Sequence, residues 1–253
     1  MNTFQLVAAV LRNPSVLSRK TPLLLLSHMR ANTSLAGHII GNSPQVSGYY
    51  EMHIGYYSWK SFVRQRLLYA EKHCLTPDTQ YMFDKILHDE HKISPAVINS
   101  SNAKVLLSIR SPETTIPSIL KLYERINPKH EFAHLDGAIN YYSARLDQLA
   151  IYSKEIKNYF YYDAEDLRKN TEVCLSNISN YLSLTSKLSS EFKTQKLTGK
   201  AKAGDSSGNL NSGRVKKVTS NYATFDWDQK TLSSLTKKYH ATKLLLKENS
   251  WNE

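Results

Sequence analysis

The sequence has few cysteines and no long apolar run. Its 253 residues include only two cysteines, Cys74 and Cys174, which lie far apart. This spacing excludes a disulfide framework and the paired cysteines of a zinc site, and it favours a reducing, cytoplasmic location. No uninterrupted apolar run comes near the roughly 18 residues of a membrane span. The apolar stretch at 4–11 has no basic residue before it, so we interpret it as a helix and not as a signal.

Acidic residues are scarce compared with basic ones. The chain has 33 Lys and Arg against 22 Asp and Glu, a formal charge of +11, which predicts an anionic partner. Nucleic acid, anionic lipid and a polyphosphorylated small ligand all qualify. With 41% hydrophobic residues, 9 Gly and 8 Pro, the composition excludes a collagen-like, low-complexity or wholly disordered chain.

Short apolar segments alternate with helix-like patterns along the chain. This alternation predicts an α/β fold, three-layer and P-loop-like, with a mostly parallel central sheet of about five strands and helices on both faces. We expect one domain over 1–253, with an N-terminal helical extension at 1–20, a flexible loop at 186–220 and a C-terminal helix at 225–253. The strand candidates are 23–28, 46–51, 81–87, 104–109 and 159–162.

Ligands bind at the carboxyl ends of the strands in such sheets. The loops at 27–34, 49–53, 85–91 and 110–118 should therefore converge. Pro117 lies in the helix that follows the fourth strand and should kink or restart it.

The loop between the first strand and the first helix has the features of a phosphate site. It has two hydroxyls at the helix start, Thr33 and Ser34, and a cation, Arg30, just before them. It lacks the Gly and Lys of a nucleoside triphosphatase loop, but Asn32 can adopt the left-handed conformation that such a loop needs. A plain helix cap at Thr33 or Ser34 remains the alternative.

A second pattern follows the fourth strand, where Arg110 ends the strand and Ser118 comes eight residues later. Together the two patterns resemble the cofactor motifs of sulfotransferases that use 3′-phosphoadenosine 5′-phosphosulfate (PAPS). The resemblance implies that Arg110 and Ser118 hold the 3′-phosphate of this donor. It also implies that the 5′-phosphosulfate is bound by Arg30, Ala31, Asn32, Thr33 and Ser34.

Further segments extend the resemblance. The pair Asp84-Lys85 and the block Glu165-Asp166-Leu167 are similar to family motifs, and Ala164 departs from the usual Tyr. Ala31 and Asn32 stand where Ser and Gly are common in the family. Gly204–Gly208 with Gly213-Arg214 resembles the late glycine-rich loop that covers the nucleotide, which implies cofactor contacts from Gly208 and Arg214.

The resemblance also implies catalytic roles. Glu51, in Gly-Tyr-Tyr-Glu-Met-His after the second strand, is the candidate base, with His53 in an extended segment beside it as the substitute. The alternative for Glu51 is a rim carboxylate paired with a local Lys or Arg. Arg30 and Lys85 would counter charge on the bridging oxygen. We interpret His88–His91 as a solvated polar turn and expect no metal, because the spacing is not that of a metal motif and no third ligand is evident.

The implied function is transfer of a sulfuryl group from PAPS to a hydroxyl of a carbohydrate or small metabolite, with release of 3′-phosphoadenosine 5′-phosphate (PAP). The fourth strand ends in Ser108-Ile109-Arg110, without the acidic metal ligand that a kinase would need. A P-loop kinase-like enzyme and a basic nucleic-acid-binding protein are the alternatives. We expect no nucleic acid partner because no recognised binding motif is present. The sequence does not identify the acceptor or the oligomeric state.

Overall fold

The structure is a computed structural model that describes residues 10–11, 13–196, 198, 209–217 and 225–252. Its centre is one sheet of five strands, in which each neighbouring pair is parallel. In chain order the strands are β1 Thr21–Leu26, β2 Val46–Ser47, β3 Tyr81–Ile86, β4 Lys104–Ile109 and β5 Phe160–Asp163. They are arranged as β2-β3-β1-β4-β5, so β1 is the central strand. The predicted α/β fold is confirmed.

Helices cover both faces of this sheet. The described helices are α1 Thr33–Ile40, α2 Trp59–Ala70, α3 Pro95–Ser100, α4 Pro112–Ile126, α5 Leu135–Glu155, α6 Asp166–Lys169, α7 Thr171–Tyr181 and α8 Gln229–Glu248. Short 3-10 turns occur at Pro14–Leu17, Glu131–Ala133 and Asn209–Ser212. None of the helices in this part of the chain combines the length and the apolar character that crossing a membrane requires.

The run of leucines in β1 explains the two covered faces. Successive side chains of a strand point to opposite sides, so Leu24 and Leu26 pack in one core with residues of α4, α5 and α8. Leu23 and Leu25 pack in the other core with residues of α1 and α7. All four leucines are fully buried. A strand buried on both faces is expected to be continuously apolar, as this one is.

β2 is shorter than the sequence predicts. The expected strand at 46–51 ends at Ser47, because Gly48 has φ of +100° and turns the chain out of the sheet. A Cβ atom at Gly48 would lie 2.4 Å from the carbonyl oxygen of Phe83, so the close approach also requires glycine. Residues 49–53 therefore form a loop rather than a strand. In contrast, α4 runs unbroken through Pro117, and the predicted restart of the helix does not occur.

The described parts of the 186–220 segment pair with each other and contribute Phe192 to a core of the domain. The N–H of Phe192 donates to the carbonyl of Gly213 at 2.8 Å, and the N–H of Val215 donates to that of Ser190 at 2.9 Å, which pairs two antiparallel arms. Phe192 is buried in the core that contains α1 and α7. The predicted contact residue Gly208 lies outside the described residues, as do 1–9 of the predicted N-terminal helix.

The chain after α8 covers the outer edge of β5. The N–H of Tyr161 donates to the Oγ of Ser250 at 2.8 Å. The N–H of Trp251 donates to the carbonyl of Tyr159 at 2.8 Å. The predicted C-terminal helix itself is the shorter α8, whose first turn is capped by the Asp228 side chain.

A buried arginine on α5 joins the ends of two strands. The side chain of Arg145 is fully buried, and its Nε donates to the carbonyl of Ser27 at 2.7 Å. Its Nη2 donates to the carbonyl of Ile86 at 2.7 Å, and its Nη1 binds Asp89 at 2.5 Å. The carbonyls of Ser27 and Ile86 lie where β1 and β3 end, and both accept a hydrogen bond from this side chain. One guanidinium therefore connects the loops after both strands to α5.

We expect Arg145→Leu to lower the free energy of unfolding by about 3–5 kcal/mol, because it leaves buried carbonyls and a carboxylate without their donor. Urea denaturation measures the loss. The control is Asp147→Ala on the same helix, which breaks the exposed ion pair between Asp147 and Lys238 and should cost under about 1 kcal/mol. Equal losses in the two variants would contradict the role of Arg145.

Candidate functional site

The loop from β1 to α1 has two residues in the left-handed conformation and no glycine. Arg30 has φ of +65° and Asn32 has φ of +56°. The conformation expected of Asn32 is thus present, and Arg30 adopts it as well. The Nδ2 of Asn32 donates to the carbonyl of Ala164 at 2.7 Å, and its Oδ1 accepts from the Nε of Arg168 at 3.0 Å. These bonds tie the loop to the end of β5.

The loop does not end in a plain helix cap. Asn32 is the cap residue of α1, so Thr33 and Ser34 are its first two helical residues. Asn32 makes no side-chain bond to the first turn within the described chain. The alternative in which Thr33 or Ser34 caps the helix is therefore wrong. A helix start of this kind, with hydroxyls at its first positions, is suited to an anion.

Arg30, Ser118 and Arg110 meet at one place. The Nε of Arg30 donates to the Oγ of Ser118 at 2.8 Å. The Nη1 of Arg110 donates to the carbonyl of Arg30 at 3.1 Å, and its Nε lies 3.9 Å from Glu165. The loops after β1 and β4 thus converge, and they bring two guanidinium groups together.

Lys85 reaches the same site from β3. Its side chain is only 2% exposed, and its Nζ donates to the Oγ of Ser34 at 3.2 Å. In the sheet it lies beside Leu25, near the carboxyl end of β1. A buried ammonium at the start of a helix adds to the positive potential there, so this position favours a bound anion.

Tyr141 on α5 fixes the loop after β1 through hydrogen bonds of its hydroxyl. Its hydroxyl accepts from the N–H of Met29 at 2.7 Å and donates to the carbonyl of Leu87 at 2.8 Å. Burial raises the pKa of Tyr141, so the hydroxyl stays protonated and can make both bonds. Nothing in the local sequence marks Tyr141, because the two backbone groups that it binds are distant in the chain.

His28 connects the loop to the end of β4. Its Nδ1 contacts the carbonyl of Met29 at 2.8 Å, and its Nε2 accepts from the N–H of Arg110 at 3.0 Å. The ring is neutral, because burial lowers its pKa to about 4. These partners assign the proton to Nδ1. His28 thereby fixes the backbone of Arg110, a role that the sequence does not indicate.

Asp84 anchors the loop that bears the candidate base. Its Oδ1 accepts from the N–H of Met52 at 2.9 Å, and its Oδ2 accepts from the hydroxyl of Tyr56 at 2.7 Å. Burial raises the pKa of Asp84 to about 7. Both oxygens of Asp84 are engaged by groups of the 49–56 loop, so this carboxyl positions that loop, while its neighbour Lys85 reaches the helix start.

Glu51 and His53 lie side by side in that loop. The Oε1 of Glu51 is 3.6 Å from the Nδ1 of His53. Glu51 is only 7% exposed, whereas the His53 side chain is half exposed. The predicted extended segment is wrong, because His53 has φ of +55° and turns its ring back beside Glu51. Among the described residues, the ion-pair partner of Glu51 is this histidine and not a Lys or Arg.

A group of aromatic and imidazole rings surrounds this loop. The ring of His53 contacts that of His91 with centroids 5.5 Å apart, and His88 stacks on Phe132 at 6.5 Å. The turn at 88–91 is only partly the solvated turn that we predicted: Asp89 and Glu90 are exposed, but both histidines are mostly buried. We refer to His53, His88, His91 and Phe132 as the ring wall. A surface of such rings can contact an apolar or planar part of a ligand.

The late segment contacts α1 and α6, which flank the loop after β1. The Nε2 of His38 on α1 lies 2.8 Å from the Oγ1 of Thr198, and the Nη1 of Arg168 donates to the carbonyl of Lys216 at 2.8 Å. The predicted contact residue Arg214 is exposed, and it pairs with Glu191 through the backbone. Arg168 was not among the predicted site residues, although it directly follows the block Glu165–Leu167 and its basic charge could have marked it.

Comparison with known proteins identifies the fold. No protein-family model matches the sequence, and no curated protein matches it. The structure aligns with the sulfotransferase domain from the curacin biosynthetic pathway at a TM-score of 0.60 and 11% identity, over 88% of this chain and 98% of that domain. The chain has the sulfotransferase fold. The sulfotransferase domain from the Synechococcus PCC 7002 olefin synthase aligns at a TM-score of 0.61 and 16% identity, over 88% and 96% of the two chains.

The sulfotransferase fold is the one that the sequence motifs imply. At these identities the likeness concerns the fold, so the role of each residue has to be argued from its own contacts. In this sulfotransferase fold the loops after β1 and β4 and the carboxyl end of β3 meet near the start of α1, and they bring the cations Arg30, Lys85 and Arg110 there.

The neutral state of His28 predicts a pH-dependent stability. Its native pKa of about 4 lies below the usual 6.5, so between these values the unfolded chain binds a proton that the native chain does not. The free energy of unfolding therefore falls as the pH falls through this window. We expect His28→Gln, which cannot titrate, to reduce the fall between about pH 7 and about pH 4.5 by about 2 kcal/mol in urea denaturation.

The control for this experiment is His240→Gln, at an exposed position on α8. It should keep the pH profile of the wild type, because the substitution leaves His28 and its hydrogen bonds unchanged. A wild-type slope in His28→Gln would show that the ring titrates freely in the native state.

Proposed function

We propose that the protein transfers a sulfuryl group from PAPS to a hydroxyl of a carbohydrate or small metabolite. One observation carries this proposal: the contacts of Arg30 with Ser118 and of Arg110 with the carbonyl of Arg30 join two motifs that the resemblance assigns to opposite ends of one nucleotide. The sulfotransferase fold supports it. When bound, PAPS supplies an activated sulfuryl group on a phosphate leaving group.

The start of α1 is suited to the 5′ end of this donor. Arg30, Thr33 and Ser34, with the backbone of Ala31 and Asn32, form the loop that would bind its phosphosulfate. Lys85, 3.2 Å from the hydroxyl of Ser34, lies where it can reach the same group. Cations placed here stabilise the negative charge that grows on the bridging oxygen as the sulfur–oxygen bond breaks.

Arg110 and Ser118 would bind the 3′-phosphate. A guanidinium can bind a phosphate through two parallel hydrogen bonds, and the adjacent hydroxyl can donate a third. His28 and Tyr142 hold the backbone of Arg110 through its N–H and its carbonyl, so the position of this side chain is well defined. Arg214 and Gly208 would contribute from the late segment as it covers the nucleotide.

Glu51 is the proposed base. The acceptor hydroxyl would enter along the ring wall beside the 49–56 loop, and a carboxylate oxygen of Glu51 would take its proton as the oxygen attacks sulfur. The anchoring of Met52 to Asp84 keeps Glu51 in place. His53, 3.6 Å from Glu51, can stabilise the carboxylate or replace it as the base.

The first test concerns the nucleotide. Calorimetry should show that the protein binds PAP more tightly than AMP, because only PAP has the 3′-phosphate. Arg110→Ala should weaken PAP binding by about 10–100-fold and remove the preference. Arg110→Lys should not restore it, because an ammonium cannot make the paired bonds. Lys121→Ala, an exposed cation on α4, serves as the control, and equal wild-type affinity for PAP and AMP would refute the assignment.

The second test concerns the base. With PAPS and a panel of sugars and small alcohols, Glu51→Gln should lower kcat by about 10²–10⁴-fold, because the amide keeps the shape but not the basicity. PAP affinity should not change, and His53→Ala should have a smaller effect. Release of PAP, separated by chromatography in the presence of a chelator, measures turnover.

The opposite pattern, with normal turnover in Glu51→Gln and none in His53→Ala, would assign the base to His53. If neither substitution matters, the acceptor hydroxyl is activated from another loop, and His88 is the next residue to replace.

A further inference from the structure

We infer that Glu51, His53 and His91 form a binding site for one divalent transition-metal ion, and that this ion is Zn²⁺. The three side chains offer one carboxylate oxygen and two imidazole nitrogens. This is a donor set of the kind that holds zinc through three protein ligands and leaves a fourth position open to water or substrate.

The distances suit one ion. A carboxylate oxygen of Glu51, a ring nitrogen of His53 and a ring nitrogen of His91 all lie within 4.8 Å of one another. The carboxylate oxygen and the Nδ1 of His53 are 3.6 Å apart. Two ligands of a tetrahedral zinc ion, each about 2.0–2.1 Å from the metal, are separated by about 3.3 Å. The Glu51–His53 pair is thus already close to this separation, and the site is completed when the ligand atoms that are farther apart, up to 4.8 Å, close around the ion.

Two buried polar atoms supply an independent argument. Within the part of the chain that the structure describes, the Oε1 of Glu51 and the Nε2 of His91 are buried and have no hydrogen-bond partner. Glu90 approaches the Nε2 of His91 to 3.5 Å without forming a hydrogen bond, and its side chain is mostly exposed. Leaving a buried acceptor without a partner costs about 1–3 kcal/mol, so such atoms need an explanation. A cation between them satisfies both.

The two loops that bear the ligands are fixed from outside the cluster. The 49–56 loop is held by Asp84, which accepts from Met52 and from Tyr56. The 88–91 turn is held by Asp89, which binds the buried Arg145. Ligands on supported loops lose little freedom when a metal binds, which favours affinity.

This site shares a residue with the proposed reaction, and the following consequence rests on the proposed function. Zinc bound to a carboxylate oxygen of Glu51 withdraws electron density from the whole group and lowers its basicity. A molecule with zinc bound therefore loses Glu51 as an effective base, and Zn²⁺ should inhibit turnover in a manner that a chelator reverses. Binding of the metal itself does not depend on the proposed function.

The test measures Zn²⁺ binding directly. Calorimetry with zinc chloride on the full chain, without a histidine tag and without nucleotide, should show one site per molecule. The visible spectrum of the Co²⁺ form should report a tetrahedral centre. His91→Ala and His53→Ala should each weaken the affinity by more than about 100-fold, since loss of even an outer hydrogen-bond partner of a ligand costs about 10–100-fold.

His240→Ala is the matched control, because it removes an exposed histidine on α8 and should keep the wild-type affinity. Circular dichroism verifies the fold of each variant. Wild-type Zn²⁺ affinity in His91→Ala, or no binding to the wild type, would overturn the proposal. Binding of zinc without loss of turnover would overturn the inference that zinc on Glu51 prevents this residue from acting as the base.

The two proposals can fail separately. A chain that binds Zn²⁺ through these residues but does not prefer PAP to AMP keeps the metal site and loses the proposed function. A chain that binds PAP and transfers sulfuryl groups, but has no zinc site, gives the reverse result.

Discussion

The loop after β1 has to be held in an unfavourable conformation, and much of the site depends on how this is done. Arg30 and Asn32 both have positive φ, which costs about 1 kcal/mol for each residue that is not glycine. Tyr141 binds the N–H of Met29, Arg110 binds the carbonyl of Arg30, and Ala164 and Arg168 bind the Asn32 side chain. The loop is therefore shaped by contacts from α5, β4 and the end of β5.

This dependence explains why the same residues join several parts of the structure. Arg110 holds the loop through the carbonyl of Arg30, and His28 of the loop holds the backbone of Arg110 in return. Arg145 then connects the carbonyl ends of β1 and β3. The side that bears Arg30 and Arg110 and the loop that bears Glu51 are thus parts of one hydrogen-bonded layer at the carboxyl ends of the strands, and a change on one side is expected to affect the other.

The sequence predicts the fold well because burial leaves a strong pattern. The leucines of β1 and the apolar run of β4 have to be buried on both faces, which points to a covered parallel sheet. Convergence of the loops follows from that topology, so a meeting of the loop that bears Arg30 with the segment at 110–118 could be expected. The roles expected of Lys85 and Arg110, in contrast, come from the resemblance to sulfotransferase motifs.

The rest of the site depends on tertiary contacts that leave no local pattern. β2 ends early because Gly48 has to approach the backbone of Phe83, and spacing in the sequence cannot show such an approach. His53 reaches Glu51 through a left-handed turn. His91 approaches Glu51 and His53 from a turn whose polar sequence predicts that it is solvated. The turn is partly buried because a loop about forty residues earlier in the chain packs beside it. The partners of Arg145 are backbone carbonyls. Because every residue has a carbonyl, no residue type in the sequence indicates these contacts.

The edges of the sheet limit how copies of this protein could associate. At one edge β2 contributes only Val46–Ser47, and at the other the backbone beside β5 is already bonded to Ser250 and Trp251. A neighbouring chain can add a strand to a sheet only through unpaired backbone groups along an edge. Strand exchange and edge-to-edge aggregation are therefore disfavoured for the native molecule, and any specific assembly of copies is expected to form through helix faces or loops.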